Sequence, residues 1–366
     1  TYTVTRIADD AFYRDMLLYS VVLPESVKEI GRGAFYQSNI GRVFLPEGVE
    51  TIGVSAFAMC NQLRSVTIPE STRSIGIQAF LNNSSLERVY LAGETPVGEL
   101  AFEAPGQRAT LYVPAGTQAA YEASVWADQG FLAIGEYCVG ENHDGEGLYY
   151  TLDGEEATLA DPGAFKGSTL SVASRVGSQG KTCLVTSIGN QALTNCYSLA
   201  EAHLPSSIKT INDGAFYYCP GLELVSISEG LESILGQAFA MCNSLKSISL
   251  PASLSSVSAD AFSFCRSMET IEVATENSYF TTKDGILYDK TMKTLVAAPG
   301  GIVEAFVPEG VETIGQFAFF GRAQLSSVEL PAGLEKIESA AFYLTSLEEI
   351  TLPGSLRAIE HGIFGW

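Results

Sequence analysis

Hydrophobic and polar positions recur along this chain with a single period. Ala-Phe pairs place Phe12, Phe35, Phe57, Phe80 and Phe102 at spacings of 23, 22, 23 and 22 residues. The register resumes with Leu193 in the phenylalanine place, continues through Phe216, Phe239 and Phe262 at intervals of 23, and returns at Phe319, Phe342 and Phe364. The units align as L-x-x-V-x-L-P, four or five residues, I-G, two residues, A-F and three residues more, as in LRSVTIPESTRSIGIQAF and LKSISLPASLSSVSADAF. In LRSVTIP, Val66 and Ile68 alternate with Ser65 and Thr67, the two-residue period of a strand with one buried face. Pro69 ends that strand because it has no N–H for a ladder hydrogen bond. Ile75 through Phe80 then turns the chain back, with Ile75 and Phe80 pointing inward. Such a unit cannot bury its apolar side alone, so neighbouring coils supply the core. The predicted fold is a repeat solenoid of 22–23-residue coils, mostly short β-strands and turns with little helix. Glycine follows the isoleucine at Gly31, Gly53, Gly76, Gly189 and Gly315, but Asn212, Ser258, Glu338 and Glu360 replace it elsewhere, which argues against a strict need for positive φ there.

A repeat of 20–29 residues with recurring leucine marks leucine-rich repeats. With units such as AFAMCNQLRSVTIPESTRSIGIQAF, the chain resembles the BspA-like leucine-rich-repeat family, whose members sit on the surfaces of host-associated bacteria. The resemblance covers nearly the whole chain. It implies that ATLYVPAGTQAAYEASVWADQGFLAI closes one repeat block and that GLYYTLDGEEATLADPGAFKGSTLSVASRVGSQGKTCLVTSIG opens another. The residues agree: Thr117 is a fair helix N-cap, Ala119 to Trp126 contains good helix formers, and repeat arrays need covered ends. The glycine-rich VGENHDGEG fits a junction. We therefore expect a first block over residues 1–136 with a closing strand-helix cap, and a second over 137–366 with a β-rich opening cap. The interval from Phe262 to Phe319 is 57 residues, 11 more than two periods, and predicts a hairpin insertion near 275–302 around Asp284-Gly285. The array stops at IFGW, which leaves a fragment, a covering dimer or a folded-over Trp366 as alternatives.

Charge narrows the partners. The 42 acidic residues outnumber 21 basic ones, for a net charge of -21, so phosphate backbones and anionic lipid surfaces are repelled. Nucleic acid drops out as a partner, as does membrane insertion, since no apolar run reaches about 18 residues. The opening TYTVTRIADDAF lacks the basic start and apolar core of a signal peptide, so the sequence reads as mature or trimmed.

Candidate chemistry is sparse. Cys60, Cys196, Cys219, Cys242 and Cys265 each follow their coil's phenylalanine place by three residues. One thiol per coil makes a ladder of small buried groups, whereas zinc sites favour close pairs such as C-x-x-C, so no metal is assigned. A bridge between Cys138 and Cys183 and two separate thiols both fit the spacing. NHDGEGLYYTLD carries oxygen side chains at Asn142, Asp144, Glu146 and Asp153. It departs from a calcium loop at its first and last positions and lacks flanking helices, so a polar linker accounts for it better. His143, His203 and His361 are dispersed, no nucleophile elbow, P-loop or H-E-x-x-H occurs, and neither a catalytic residue nor a cofactor is assigned.

The strand positions between buried ones form the face open to partners. In the first block that face combines arginine with aromatics, residue types enriched at interface hot spots, and we assign a ligand-binding patch to Arg42, Phe44, Arg88, Tyr90 and Tyr112. In the second block it is acidic and hydroxyl-rich, with Glu201, Glu272, Glu304 and Glu329 among its members. The family resemblance implies an extracellular or cell-surface location. The expected function is a non-catalytic recognition module, an adhesin or binding protein for a host extracellular protein or glycan. The alternative is a structural spacer or self-assembling unit of the cell envelope, and the sequence leaves the oligomeric state open.

Overall fold

The computed structural model of the protein describes residues 3–93, 101–102, 109–127, 129–141, 147–162, 165–178 and 180–365. Although Arg88–Leu91, Leu224–Ile227 and Thr270–Val273 run to Ala92, Ser228 and Ala274, most coils begin with a strand of three or four residues that runs to a proline. That proline's carbonyl accepts a hydrogen bond from the N–H three residues on, as Pro46 does from Val49 and Pro69 from Thr72, both at 3.0 Å. The turn delivers the chain to a second, two-residue strand such as Thr51–Ile52, and the Ala-Phe segment closes the coil. Coil packs on coil in parallel register, so Arg42, Ser65 and Arg88 stand side by side on the first strands, and Ile30, Ile52 and Ile75 on the second. The chain is a leucine-rich β-solenoid with almost no helix.

The described residues form two compact units, one of residues 1–138 with 151–154 and 177–181, the other of 139–150 with 155–176 and 182–366. In the first unit the rings of Phe12, Phe35, Phe57, Phe80 and Phe102 stack at centroid distances of 4.7–5.3 Å and within 10° of parallel. Trp126 and Phe131 pack on Phe102 and end the stack. The helix expected over Ala119 to Trp126 is shorter, Gln118–Glu122, and Thr117 makes no side-chain cap. The Thr117 hydroxyl donates instead to the Pro114 carbonyl at 2.7 Å. After Glu122, the Ser124 hydroxyl donates to the Tyr121 carbonyl and accepts from the Trp126 N–H, which turns the chain out of the helix. In the second unit Leu193 is buried in the ring place, and Phe216, Phe239 and Phe262 continue the stack. An antiparallel hairpin of Phe280–Lys283 and Ile286–Asp289 follows, and Thr294–Ala297 pairs with its second strand before the coils resume. Cys138 and Cys183 are both buried.

The segment around each phenylalanine is set by backbone geometry that leaves little mark in the sequence. Residues two before and two after the ring adopt left-handed φ, as Ser55 and Met59 do about Phe57, Gln78 and Asn82 about Phe80, and Gln237 and Met241 about Phe239. In this alternating right- and left-handed backbone every second N–H points to the neighbouring coil, while those between, of Ala11 and Tyr13, bond back to Ala8 and Asp10 of their own coil. The N–H groups of Asp10, Phe12 and Arg14 accordingly donate to the carbonyls of Arg32, Ala34 and Tyr36 in the next coil at 2.7–2.8 Å. Each left-handed L-residue costs about 1–2 kcal/mol, offset by a buried inter-coil hydrogen bond that would otherwise be lost.

Glycine after the isoleucine answers a different need. Gly31, Gly53 and Gly76 do not have positive φ, and a Cβ on Gly53 would lie 2.6 Å from the Gly31 carbonyl carbon. Successive backbones meet there too closely for a side chain. Gly53→Ala is therefore expected to lower stability by about 1–3 kcal/mol through overpacking. Gly333→Ala, where an added Cβ meets nothing within 4 Å, should shift it by less than about 0.5 kcal/mol. Urea denaturation followed by circular dichroism compares the two.

Candidate recognition face

The first strands carry their alternate side chains outward on one face of each unit. In the first unit Arg42, Ser65, Arg88 and Thr110 form one row across that face, and Phe44, Thr67, Tyr90 and Tyr112 the other. Arg42, Phe44, Arg88 and Tyr112 are half-buried. Three residues expected to face out do not: Ser65, Thr67 and Tyr90 are buried. Ser65 and Thr67 are short side chains set directly between the longer ones of the paired strands. Tyr90 is enclosed by aromatic packing, with the Tyr112 ring stacked at 5.4 Å and the Tyr137 ring edge-on at 5.3 Å. Tyr137 is fixed by its hydroxyl, which donates to the Leu91 carbonyl at 3.1 Å. Tyr90 thus supports the patch from beneath and offers no contact surface. The Tyr112 ring lies against Gly135, where a Cβ would approach to 3.1 Å. Burial raises the Tyr112 phenol above its ordinary range, against the pull of Arg88. Arg88 keeps only 11% of its side chain exposed, with Glu87 at 4.0 Å.

In the second unit the alternation is open. Glu201, Ser247, Ser249, Glu304 and Glu329 are exposed along with Leu224 and Phe306, while the residues between them point into the core. His203 shares a hydrogen bond of 3.2 Å with the Ser226 hydroxyl and has Glu201 at 3.5 Å. The Asp284-Gly285 turn of the hairpin adjoins this face, where the Gly285 carbonyl accepts from the Ile271 N–H at 2.9 Å. The Asp-Gly turn was readable in the sequence; its docking against Thr270–Val273 was not, because no local residue signals it.

The cysteine ladder has a structural task. Cys60, Cys219, Cys242 and Cys265 each donate to the buried carbonyl at the ring place one coil earlier, Phe35, Leu193, Phe216 and Phe239, at 3.0–3.1 Å. Burial pushes the Cys60 thiol to about 11 and the Cys265 thiol to about 12. Among the described residues no group of three or more His, Cys, Asp or Glu is placed to hold a metal, and no helix is long and apolar enough to cross a membrane. Asn142, Asp144, Glu146 and His143 lie outside the described residues, as does Trp366; Asp153 is exposed.

The BspA type leucine-rich repeat region matches residues 1–110, 181–284 and 301–365, well over half of the chain, and the chain belongs to that family. No curated protein matches it. Among solved structures it is similar to the pneumococcal vaccine antigen PcpA, at 21% identity over 60% of this chain and 71% of that one, with a TM-score of 0.44. A leucine-rich cell-surface protein of Faecalibacterium prausnitzii matches at 22% identity over 86% of this chain and 70% of that one, with a TM-score of 0.43. For a leucine-rich repeat protein of Eubacterium ventriosum the identity is 20%, the coverage 57% and 64%, and the TM-score 0.43.

Thiols whose pKa is raised on folding stabilise the protein fully below the unfolded value, near 8.5–9, and that contribution is lost as pH rises through the folded values of about 11 and 12. The urea midpoint is expected to fall between pH 9 and pH 11, and to fall less in a Cys60→Ser, Cys265→Ser variant. At pH 8 alkylation of the native thiols should be slow and should become fast in denaturing urea.

Proposed function

We propose that this chain is a non-catalytic recognition module displayed at the bacterial cell surface, an adhesin or binding protein for a host extracellular protein or glycan. The observation that supports this reading most directly is that alternate first-strand side chains leave the core in rows that run across the coils, open in the second unit and half-closed in the first, where Arg42, Phe44, Arg88 and Tyr112 stay partly exposed. Membership of the BspA-type family supports surface display. The patch assigned to the first unit is Arg42, Phe44, Arg88 and Tyr112, resting on the buried Tyr90. An arginine held beside a half-buried aromatic is the pairing that concentrates binding energy at interfaces, because both side chains lose little freedom on contact. Fold alone does not fix function, so the reading rests on this face.

The test is a panel of extracellular-matrix proteins and glycans presented to the purified chain. We expect a specific hit whose affinity drops about thirtyfold, the effect of a 2 kcal/mol hot spot, in Arg42→Ala and Phe44→Ala. A hit that both variants retain would remove the patch. Concentration-dependent self-assembly with no hit would instead support a structural spacer of the envelope, and turnover of any panel member would end the non-catalytic reading.

A further inference from the structure

In the second unit the ring stack is interrupted between Phe262 and Phe319. Between Phe262 and Phe319 the ring place is taken by Ala298, whose N–H donates to the Ala318 carbonyl at 2.9 Å just as that of Phe239 donates to Ala261 at 2.8 Å. The sheets lapse at the same point. Thr270–Val273 ends one first-strand sheet and Glu304–Phe306 begins another, and the second-strand sheet that ends at Ser256–Val257 gives way to one containing the hairpin. The coils beyond the lapse have a core of their own, from Ile286 and Tyr288 through Phe319 and Phe342 to Ile363. Ring stacking and the parallel strand ladders are both interrupted here, and single backbone bonds cross instead, from the Ile271 N–H to the Gly285 carbonyl at 2.9 Å and from the Gly301 N–H to the Met268 carbonyl at 2.8 Å.

Arg322 fills the gap. It stands three residues after Phe319, the place where other coils carry cysteine, and it is fully buried. Like those thiols it donates to the ring-place carbonyl of the coil before, with Nε at 3.0 Å and Nη2 at 2.5 Å from the Ala298 oxygen. Its longer side chain then reaches one coil further, to the Ser263 hydroxyl at 3.2 Å and the Ala259 carbonyl at 3.4 Å, while Nη1 also bonds the Phe320 carbonyl. All five N–H groups have acceptors, which is what a buried guanidinium requires. Burial lowers its pKa to about 10, so it stays charged at neutral pH. The room comes from small residues: Ala298 has no ring, and a Cβ on Gly300 or Gly301 would lie 2.5 Å from the Cys265 or Arg266 carbonyl oxygen. The Phe264 ring closes the outside over Gly321, where a Cβ would approach to 2.8 Å.

We propose that residues 286–365 form a separately cooperative sub-array, coupled to the preceding coils by the Arg322 guanidinium, which stands in for the missing ring. The sub-array opens as a unit when that clamp is removed. Hydrogen exchange by mass spectrometry on the full chain tests this with Arg322→Cys, Ala298→Phe and the double variant, which together convert the lapsed coil to the ordinary pattern. In Arg322→Cys, exchange at Thr313–Ile314 and Lys336–Ile337 should rise about a hundredfold, the usual effect of a large core cavity, with Thr210–Ile211 and Ser233–Ile234 unchanged. Ala298→Phe alone should do the same, because the ring and the guanidinium compete for one space. The double variant should recover at least about tenfold of that loss. Equal acceleration in both regions, no acceleration in either, or a double variant no better than the worse single one would each overturn the proposal.

Discussion

Everything in this molecule follows from the distance between one coil and the next. Parallel hydrogen bonding fixes that distance near 5 Å, and equivalent residues of successive coils are then forced into line. A side chain that suits the interior once must suit it again a coil later, beside a copy of itself. Flat aromatic rings meet this condition well, since stacked planes at 4.7–5.3 Å fill the spacing without leaving voids. Small thiols meet it too, and each also satisfies a carbonyl that the coil geometry leaves buried. Glycine after the returning isoleucine, as at Gly31, Gly53 and Gly76, marks where successive backbones come closer than a Cβ permits.

Much of this was legible from periodicity. A strand of alternating apolar residues ending in proline, a returning isoleucine and a phenylalanine at fixed spacing suffice to define a coil, because each position has one environment repeated many times. Three kinds of feature were not legible. The left-handed residues flanking each ring include serine, glutamine, methionine and tyrosine, types that carry no mark of that conformation. The burial of Ser65, Thr67 and Tyr90 depends on what stands on neighbouring strands, which a single unit's pattern does not encode. The break at Ala298 was visible only as an irregular interval, and the role of Arg322 required knowing that it occupies the thiol's place.

The candidate face is correspondingly half legible. Alternation identifies which strand residues leave the core, and it does so well in the second unit, where glutamates and hydroxyls stand open. In the first unit, large side chains on adjacent strands lean over small ones, so the outward rows become a partly closed surface. Arg42 and Phe44 remain half-buried there, with Tyr90 beneath as packing. A surface of that kind is pre-organised, and side chains already held by their neighbours lose less entropy in any contact they make.

The direct test of the stacking principle is a pair of double-mutant cycles in the first unit, with phenylalanine replaced by leucine and stability read from urea denaturation. Phe35 and Phe57, adjacent in the stack, should show a coupling energy of about 0.5–1.5 kcal/mol, whereas Phe35 and Phe102 should be additive within about 0.5 kcal/mol. Additive behaviour in the adjacent pair would mean that the rings are merely buried side by side, and that nearest-neighbour contact between coils does not hold the solenoid together.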